Sequence, residues 1–416
     1  MKIPTGWVLV ACSVALGSSC SKEPSGGHSG LNSQQAISVD QFGEELIHDG
    51  WKLTDWKFSG PEGGLAADGT LAEGKFWQSP PVPVVPLNYL KIEVTTRGPG
   101  RPFVCGFGFN PDADWGRFPH ELATAGELVA DDWTAWEADQ NGGGPIRRTY
   151  FTRARVNATS GAVRLMGHGV EFSDLRVSQA TPDEVREWAD GIYQSEMAPL
   201  EWTPDPTIGS ICPNSRALLA AGGRFRMVLL GDSIMNDTGN SALDVLLERA
   251  FPQCEVDVIT AVGGGTGARA WLNDSQTRWP KNDLDLNAAV TRNSPDLVVI
   301  GGISNGSNWR TDIPALIEKI RTSADEASVR QPEILLLTGA FGRSLDPADY
   351  AQGLATIAQE ANCGFLDLRA VTEAYFENAA AAGYPREHFF RDSLHANHRG
   401  KQLLGRVLLR FFVGAE

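Results

Sequence analysis

Met227-Val228-Leu229-Leu230-Gly231-Asp232-Ser233-Ile234 is the stretch whose reading decides the fold. Its first four residues are an apolar run too short for a helix, and they fit a strand buried on both faces. Leu243, Leu246, Leu247 and Ala250 then follow at helical spacing. Glycine, aspartate and serine stand between the two, and these are ordinary turn residues. Working outward, the same rhythm repeats. Short apolar runs recur at 256–260, 297–300, 334–337 and 365–368. Between the last three lie helix patterns, first Ile313, Leu316, Ile317 and Ile320, then Tyr350, Leu354 and Ile357; Leu403, Leu404, Val407 and Leu408 close the chain. Five buried strands with covering helices predict a doubly wound parallel α/β domain over residues 224–416.

Upstream the rhythm changes. Leu90, Ile92 and Val94 alternate with Lys91, Glu93 and Thr95, the period of a strand with one buried face. Residues 103–109 and 170–177 carry similar patterns, with Val170, Phe172, Leu175 and Val177 as expected core contacts. Turns such as Gly98-Pro99-Gly100 and Asn141-Gly142-Gly143-Gly144 separate them. Many short strands of this kind predict an antiparallel β-sandwich over residues 38–179, with the layout of the jelly-roll accessory modules of secreted carbohydrate-active enzymes. Trp51, Trp56, Trp77, Trp115, Trp133 and Trp136 fall here and are read first as core, with stacking on sugar rings as the alternative. Thr181-Pro182-Asp183-Glu184 is a capping box with proline at the first helical position, and it opens a short helix through Trp188. The Pro-rich stretch 198–213 then reads as a connector, so 180–223 is helix and linker.

The start of the chain reads as an export signal over residues 1–20, with Lys2 ahead of an apolar stretch at 8–16. Gly17-Ser18-Ser19-Cys20 is similar to a bacterial lipobox, in which Cys20 would take the lipid, although Gly17 stands where leucine is usual. Leu9-Val10-Ala11-Cys12 matches the letters better but leaves a shorter apolar segment. Plain cleavage near the same place without a lipid is the alternative. Residues 21–37 contain the Ser/Gly-rich run of a flexible tether. The 416 residues exceed what one core usually holds. A net charge of −15 argues against nucleic acid and anionic membrane surfaces as partners. No apolar stretch reaches the roughly 20 residues of a membrane span. Past the signal stand Cys105, Cys212, Cys254 and Cys363, without regular spacing, and no pattern of a metal site occurs. No cofactor is implied, and no internal repeat is visible.

In a doubly wound sheet, ligands meet the loops at the carboxyl ends of the strands. Gly231-Asp232-Ser233 occupies that place after the first strand, so Ser233 projects from the rim at the start of a helix. Asp392-Ser393-Leu394-His395 lies at the other end of the domain. One turn can bring the Asp392 carboxylate against Nδ1 of His395, leaving Nε2 to take a serine proton. Taken singly, either motif reads better as a turn or a helix cap.

Together, GDSI, the Gly-rich Val262-Gly263-Gly264-Gly265-Thr266-Gly267, a polar loop after the third strand and DxxH before the last helix resemble the four blocks of the SGNH (GDSL-type) serine hydrolases. The likeness covers residues 224–412 and continues through Ala396-Asn397-His398-Arg399-Gly400. It implies a flavodoxin-like SGNH fold, with Ser233 as nucleophile, His395 as base and Asp392 as its orienting carboxylate. It also implies an oxyanion hole formed by the N–H of Ser233, a glycine N–H, aligned to Gly264, and an asparagine side chain. Here the sequence departs from the family. In Gly301-Gly302-Ile303-Ser304-Asn305, Ser304 stands where the asparagine is expected and Asn305 comes one place later. Asn305 is the favoured donor, with Ser304 and Asn308 as alternatives. His398 competes with His395 as base, but its spacing from Asp392 is wrong for the family. His388, Arg391 and Arg343 are further candidates for the rim of the cleft.

The activity implied is hydrolysis of a carboxylic ester. Export and the strand-rich module point by analogy to O-acetyl groups of a polysaccharide. A lipase or thioesterase of the same fold is the alternative within that chemistry. A non-catalytic glycan-binding surface lipoprotein is the alternative outside it.

Overall fold

The computed structural model describes residues 57–59, 76–78, 82–97, 105–109, 146–154, 156, 160–165, 171–204, 211–263, 265–273, 290, 292–301, 308–341, 349–390 and 394–414. Its N-terminal strands are β1 (Lys57–Ser59), β2 (Phe76–Gln78), β3 (Val82–Pro83), β4 (Tyr89–Arg97), β5 (Cys105–Phe109), β6 (Ile146–Arg153), β7 (Ser160–Leu165) and β8 (Glu171–Ala180). They form two antiparallel sheets, one in the order β6-β4-β8, the other β1-β2-β7-β3 with β5 also paired to β7. Leu90 and Ile92 of β4 are buried and Lys91 and Glu93 half-buried, as the alternation requires. Tyr89 breaks the pattern. It is buried although it shares the Lys91 face, because that end of the sheet meets the α/β domain. Trp77 lies in β2, opposite Phe58 and Leu165; Trp51, Trp56, Trp115, Trp133 and Trp136 lie outside the described residues.

Helix α1 (Pro182–Glu196) starts on the expected capping box, with Glu184 N–H donating to Thr181 Oγ1 at 3.2 Å and Thr181 N–H to Glu184 Oε2 at 2.9 Å. It runs two turns past Trp188 because Val185, Ala189 and Ile192 continue its buried stripe. The stretch read as a connector is packed rather than free. Met197, Ala198, Leu200 and Cys212 are buried in the main core, and the Tyr375 hydroxyl donates to Ala198 O at 3.0 Å. Helix α2 (Pro213–Ala221) buries Ser215 and Leu219; residues 205–210 lie outside the described residues.

The α/β domain follows as β9 (Gly223–Gly231), α3 (Ser233–Gly239), α4 (Leu243–Ala250), β10 (Cys254–Val262), α5 (Ala268–Leu272), β11 (Leu297–Gly301), α6 (Trp309–Glu326), β12 (Glu333–Leu337), α7 (Tyr350–Glu360), β13 (Gly364–Leu366), α8 (Leu368–Ala381), a 3₁₀ turn (Arg386–Phe389) and α9 (His398–Val413). The five strands are parallel in the order β10-β9-β11-β12-β13. Alternation splits each apolar run between two cores. Phe225, Met227 and Leu229 face one core with Leu335, Leu337 and the α9 leucines. Val228 and Leu230 face the other with Ile313, Leu316, Ile317 and Leu354. A sheet covered on both sides needs such continuous runs, and that is why they are legible.

Candidate active site

The chain leaves β9 for β10 on one side and reaches β11 on the other, so the order reverses at β9. A crevice opens at the carboxyl ends of strands at such a point. Register sets its level, since Gly231 pairs with Val262 on one side and Gly301 on the other. The chain therefore leaves these three strands at one level, at Gly231, Val262 and Gly301. Gly263 N–H donates to Gly231 O at 3.0 Å, and Thr266 Oγ1 to Gly263 O at 2.6 Å, folding the chain after β10 back on the end of β9. Gly231 owes its place to space rather than to a turn conformation. Its φ is not left-handed, but a Cβ there would lie 2.1 Å from Gly301 O and 2.4 Å from Met235 Cγ.

Ser233 is the first residue of α3 and is half-buried between fully buried neighbours. Asp232 caps the helix, its Oδ1 accepting from Ile234 N–H at 2.9 Å. The Ser233 N–H belongs to the first helical turn, where no intrahelical acceptor exists. His395 comes from the far end of the domain, just ahead of α9, and its Nε2 lies 2.8 Å from Ser233 Oγ. The two residues are 162 positions apart in sequence.

What holds the histidine in place was not visible in the motifs. Ala396 N–H donates to Oδ2 of the buried Asp237 at 2.9 Å, tying the residue after His395 to the helix that starts at Ser233. Asp237 stands one helical turn after Ser233, which is the signal that could have marked it. Asn397 caps α9, its Oδ1 accepting from Arg399 and Gly400 N–H at 3.0 and 3.2 Å. Its Nδ2 donates to His388 O at 2.9 Å, and Phe390 bridges to Ala396. The segment that follows His395 is thus tied both to the helix of Ser233 and to the 3₁₀ turn.

His398 opens α9 and sits 3.3 Å from Glu196, which also receives Arg399 Nη2 at 2.6 Å. Burial works to raise the Glu196 carboxyl, but the bond from His398 and the charges of His398 and Arg399 outweigh it and hold it below its ordinary value. His388, expected at the rim of the cleft, is buried, with Nε2 2.9 Å from Glu196 O. A carbonyl only accepts, so Nε2 carries the proton. Burial, joined by the Arg399 charge, pushes this imidazole down to about 4, so it is neutral near pH 7. Asn308 precedes α6 and donates its N–H to Asp312 Oδ2 at 2.9 Å. Asp392, Gly264, Ser304, Asn305, Arg343, Arg391 and Cys20 lie outside the described residues. Among the described residues, no group of three or more His, Cys, Asp or Glu is placed to hold a metal, and no helix is long and apolar enough to cross a membrane.

No protein-family model and no curated protein matches the sequence. Among solved structures, the chain is similar to a two-domain esterase active on acetylated mannans, at 20% identity and TM-score 0.37, over 48% of this chain and 51% of that one. It is also similar to an acetyl xylan esterase at 20% identity and TM-score 0.32, covering 44% of this chain and 98% of that one. A psychrotrophic esterase from Pseudoalteromonas sp. aligns at 18% identity and TM-score 0.31, over 44% and 93% of the two chains. The chain spans about half the length of the two-domain esterase it matches. At these values the likenesses carry no argument about what the chain does, which rests on the geometry of the site.

Proposed function

We propose that the protein is an exported SGNH-type serine esterase that removes O-acetyl groups from a polysaccharide. The observation that carries this reading is the 2.8 Å approach of His395 Nε2 to Ser233 Oγ at the switch point of the parallel sheet. In the proposed reaction the serine hydroxyl attacks the ester carbonyl while Nε2 takes its proton. The tetrahedral oxyanion is held by the N–H groups of Ser233 and Gly264 and the side chain of Asn305. Collapse expels the sugar alcohol, protonated by His395, and leaves acetyl-Ser233. Water, activated by the same imidazole, then releases acetate and restores the serine. Asp392 is assigned to Nδ1 of His395, where its charge would favour the imidazolium that forms at each step.

The anchors around His395 support catalysis over glycan binding alone, because a binding protein has no use for an imidazole fixed against a serine. The polysaccharide follows from the export signal, the Cys20 anchor at the cell envelope and the N-terminal strands read as a sandwich accessory module. The test is acetate release from acetylated mannan, acetylated xylan and short-chain aryl acetates, beside thioesters and long-chain esters. Acetate from the polymers, absent in Ser233→Ala, is the expected result. Turnover of thioesters or long-chain esters alone would transfer the site to the lipase and thioesterase alternative, and no turnover at all would leave the binding protein.

A further inference from the structure

A second cavity lies at the other end of α9 from His395. From His398 to Arg410 the helix rises about 18 Å. Around its last turns a cleft of ≈ 610 Å³ is lined by Tyr193, Trp202, Leu246, Arg249, Arg406 and Arg410, among others. That volume is of the size that encloses small organic ligands. The basic groups inside it are only partly answered. Arg249 and Arg406 share one carboxylate, Asp190, with Arg249 Nη2 3.2 Å and Arg406 Nη2 2.7 Å from its Oδ1. The Arg406 guanidinium also lies over the Tyr193 ring, 3.9 Å from its centre. Arg410 donates Nη1 to Trp202 O at 2.7 Å. Among the described residues, Asp190 is the one carboxylate paired with these three guanidiniums, leaving two positive charges in excess. The buried Nε of Arg406 has no acceptor there. Burial pulls the Arg406 guanidinium below its ordinary value despite Asp190, so a further anion would relieve it. This excess stands out on a chain of net charge −15.

Guanidiniums repel a metal ion, and their planar forks match carboxylate and phosphate oxygens. Trp202 and Leu409, both half-buried, add apolar wall that a bare inorganic anion leaves uncovered. We propose that this cleft binds a small organic oxyanion, a carboxylate or phosphate carried on a ring-sized body, with its charge on Arg410 and Arg249 and its ring against Trp202. The site is independent of the esterase reading, since it lies away from the Ser233 rim and shares no residue with it.

Four probes on the full chain, followed by calorimetry or ligand-observed NMR, test this: glucuronate, glucose 6-phosphate, glucose and inorganic phosphate. The expected result is that one or both charged sugars bind while glucose and inorganic phosphate bind at least 10-fold more weakly; which sugar binds decides between carboxylate and phosphate. Arg410→Gln should weaken binding at least 10-fold, and Arg410→Lys, which keeps the charge but loses the fork, should weaken it less. Trp202→Ala should weaken it too, and Ser233→Ala should leave it unchanged. Unfolding curves show which variants keep the fold; if the Arg410 changes do not, Arg249→Gln, at a more exposed position, takes their place. The proposal is overturned if neither charged sugar binds, if glucose or inorganic phosphate binds as tightly, if the folded cleft variants bind normally, or if Ser233→Ala abolishes binding.

Discussion

Ser233 and His395 stand at opposite ends of the domain's sequence, and the parallel sheet brings them within one hydrogen bond. If they act as one unit, their removal should not add. Ser233→Ala is expected to abolish ester turnover with the fold intact, and His395→Ala to lower kcat by roughly 10³-fold or more. The double variant should be no worse than either alone; a much larger loss would mean that the two residues act separately. Asp392→Asn should cost less than the histidine change, because the carboxylate orients the base and takes no part in proton transfer itself. The third oxyanion donor is decided by comparing Asn305→Ala with Ser304→Ala, since the true donor should cost about 10²–10³-fold in kcat. The pairing of Ser233 with His395 was legible because both sit in short motifs at strand and helix ends. Asp237 and Asn397 were not, since a buried carboxylate on a helix and a cap are ordinary in sequence, and only the fold shows that both hold the loop of His395. Gly231 was read as a turn residue, but the space beside Gly301 and Met235 is what excludes a side chain.

The strands of the parallel sheet were the easiest elements to read, because burial on both faces fills them with near-continuous apolar runs. In β10 the run is interrupted by the buried Asp257, which Arg224 and Arg226 pair. The length of α1 was harder, since its last turns are held by contacts with α9 that local sequence does not encode. Contacts between elements also bear on catalysis. Arg269 of α5 reaches Asp312 of α6 with Nε at 3.3 Å, and Asp312 accepts the N–H of Asn308. This strut joins the element after the Gly264 loop to the one after the Asn305 loop. If Gly264 and Asn305 hold the oxyanion as proposed, Asp312→Asn should lower kcat by about 10- to 10²-fold with little change in KM. A change in KM alone would assign the strut to binding. The 3₁₀ turn carries a different dependence. The His388 imidazole is held down to about 4 in the fold, against about 6.5 in the unfolded chain. Its contribution to stability is present above pH 6.5 and is lost as pH falls toward 4, on the order of 3 kcal/mol in all. Urea unfolding across this window should show the loss, and His388→Gln should flatten it; an unchanged slope in the variant would assign the acid sensitivity elsewhere.

At the scale of the whole molecule, composition pointed to two regions and left their joint unseen. The joint is polar at its centre. Arg153 Nη1 of β6 donates to Asp244 Oδ2 of α4 at 2.6 Å, and the Tyr89 hydroxyl of β4 donates to Asp244 Oδ1 at 2.5 Å. All three side chains are buried, ringed by Phe151, Val185, Ala189, Ala242 and Val245. Burial and the negative Asp244 push the Tyr89 hydroxyl well above its ordinary value, keeping it a donor. Such a joint is invisible in sequence because Tyr89 and Arg153 each look like the exposed partner of an alternating strand. Removing the carboxylate alone leaves a buried guanidinium without its partner, so Asp244→Ala should destabilise the protein by about 3–5 kcal/mol in chemical unfolding. Truncation tests the same joint and the packed connector together. A piece spanning residues 224–416 lacks Leu200, Cys212 and Leu219 from the main core, and leaves Arg399 and Arg406 without Glu196 and Asp190. It should therefore be insoluble or unfold without cooperativity. A piece beginning at Thr181 keeps those groups and loses only the joint to the strands, so it should fold and retain the Ser233–His395 pair. Equal stability of the two pieces would mean that α1 and the connector are ornaments on the α/β domain, and that the boundary lies at 224 after all.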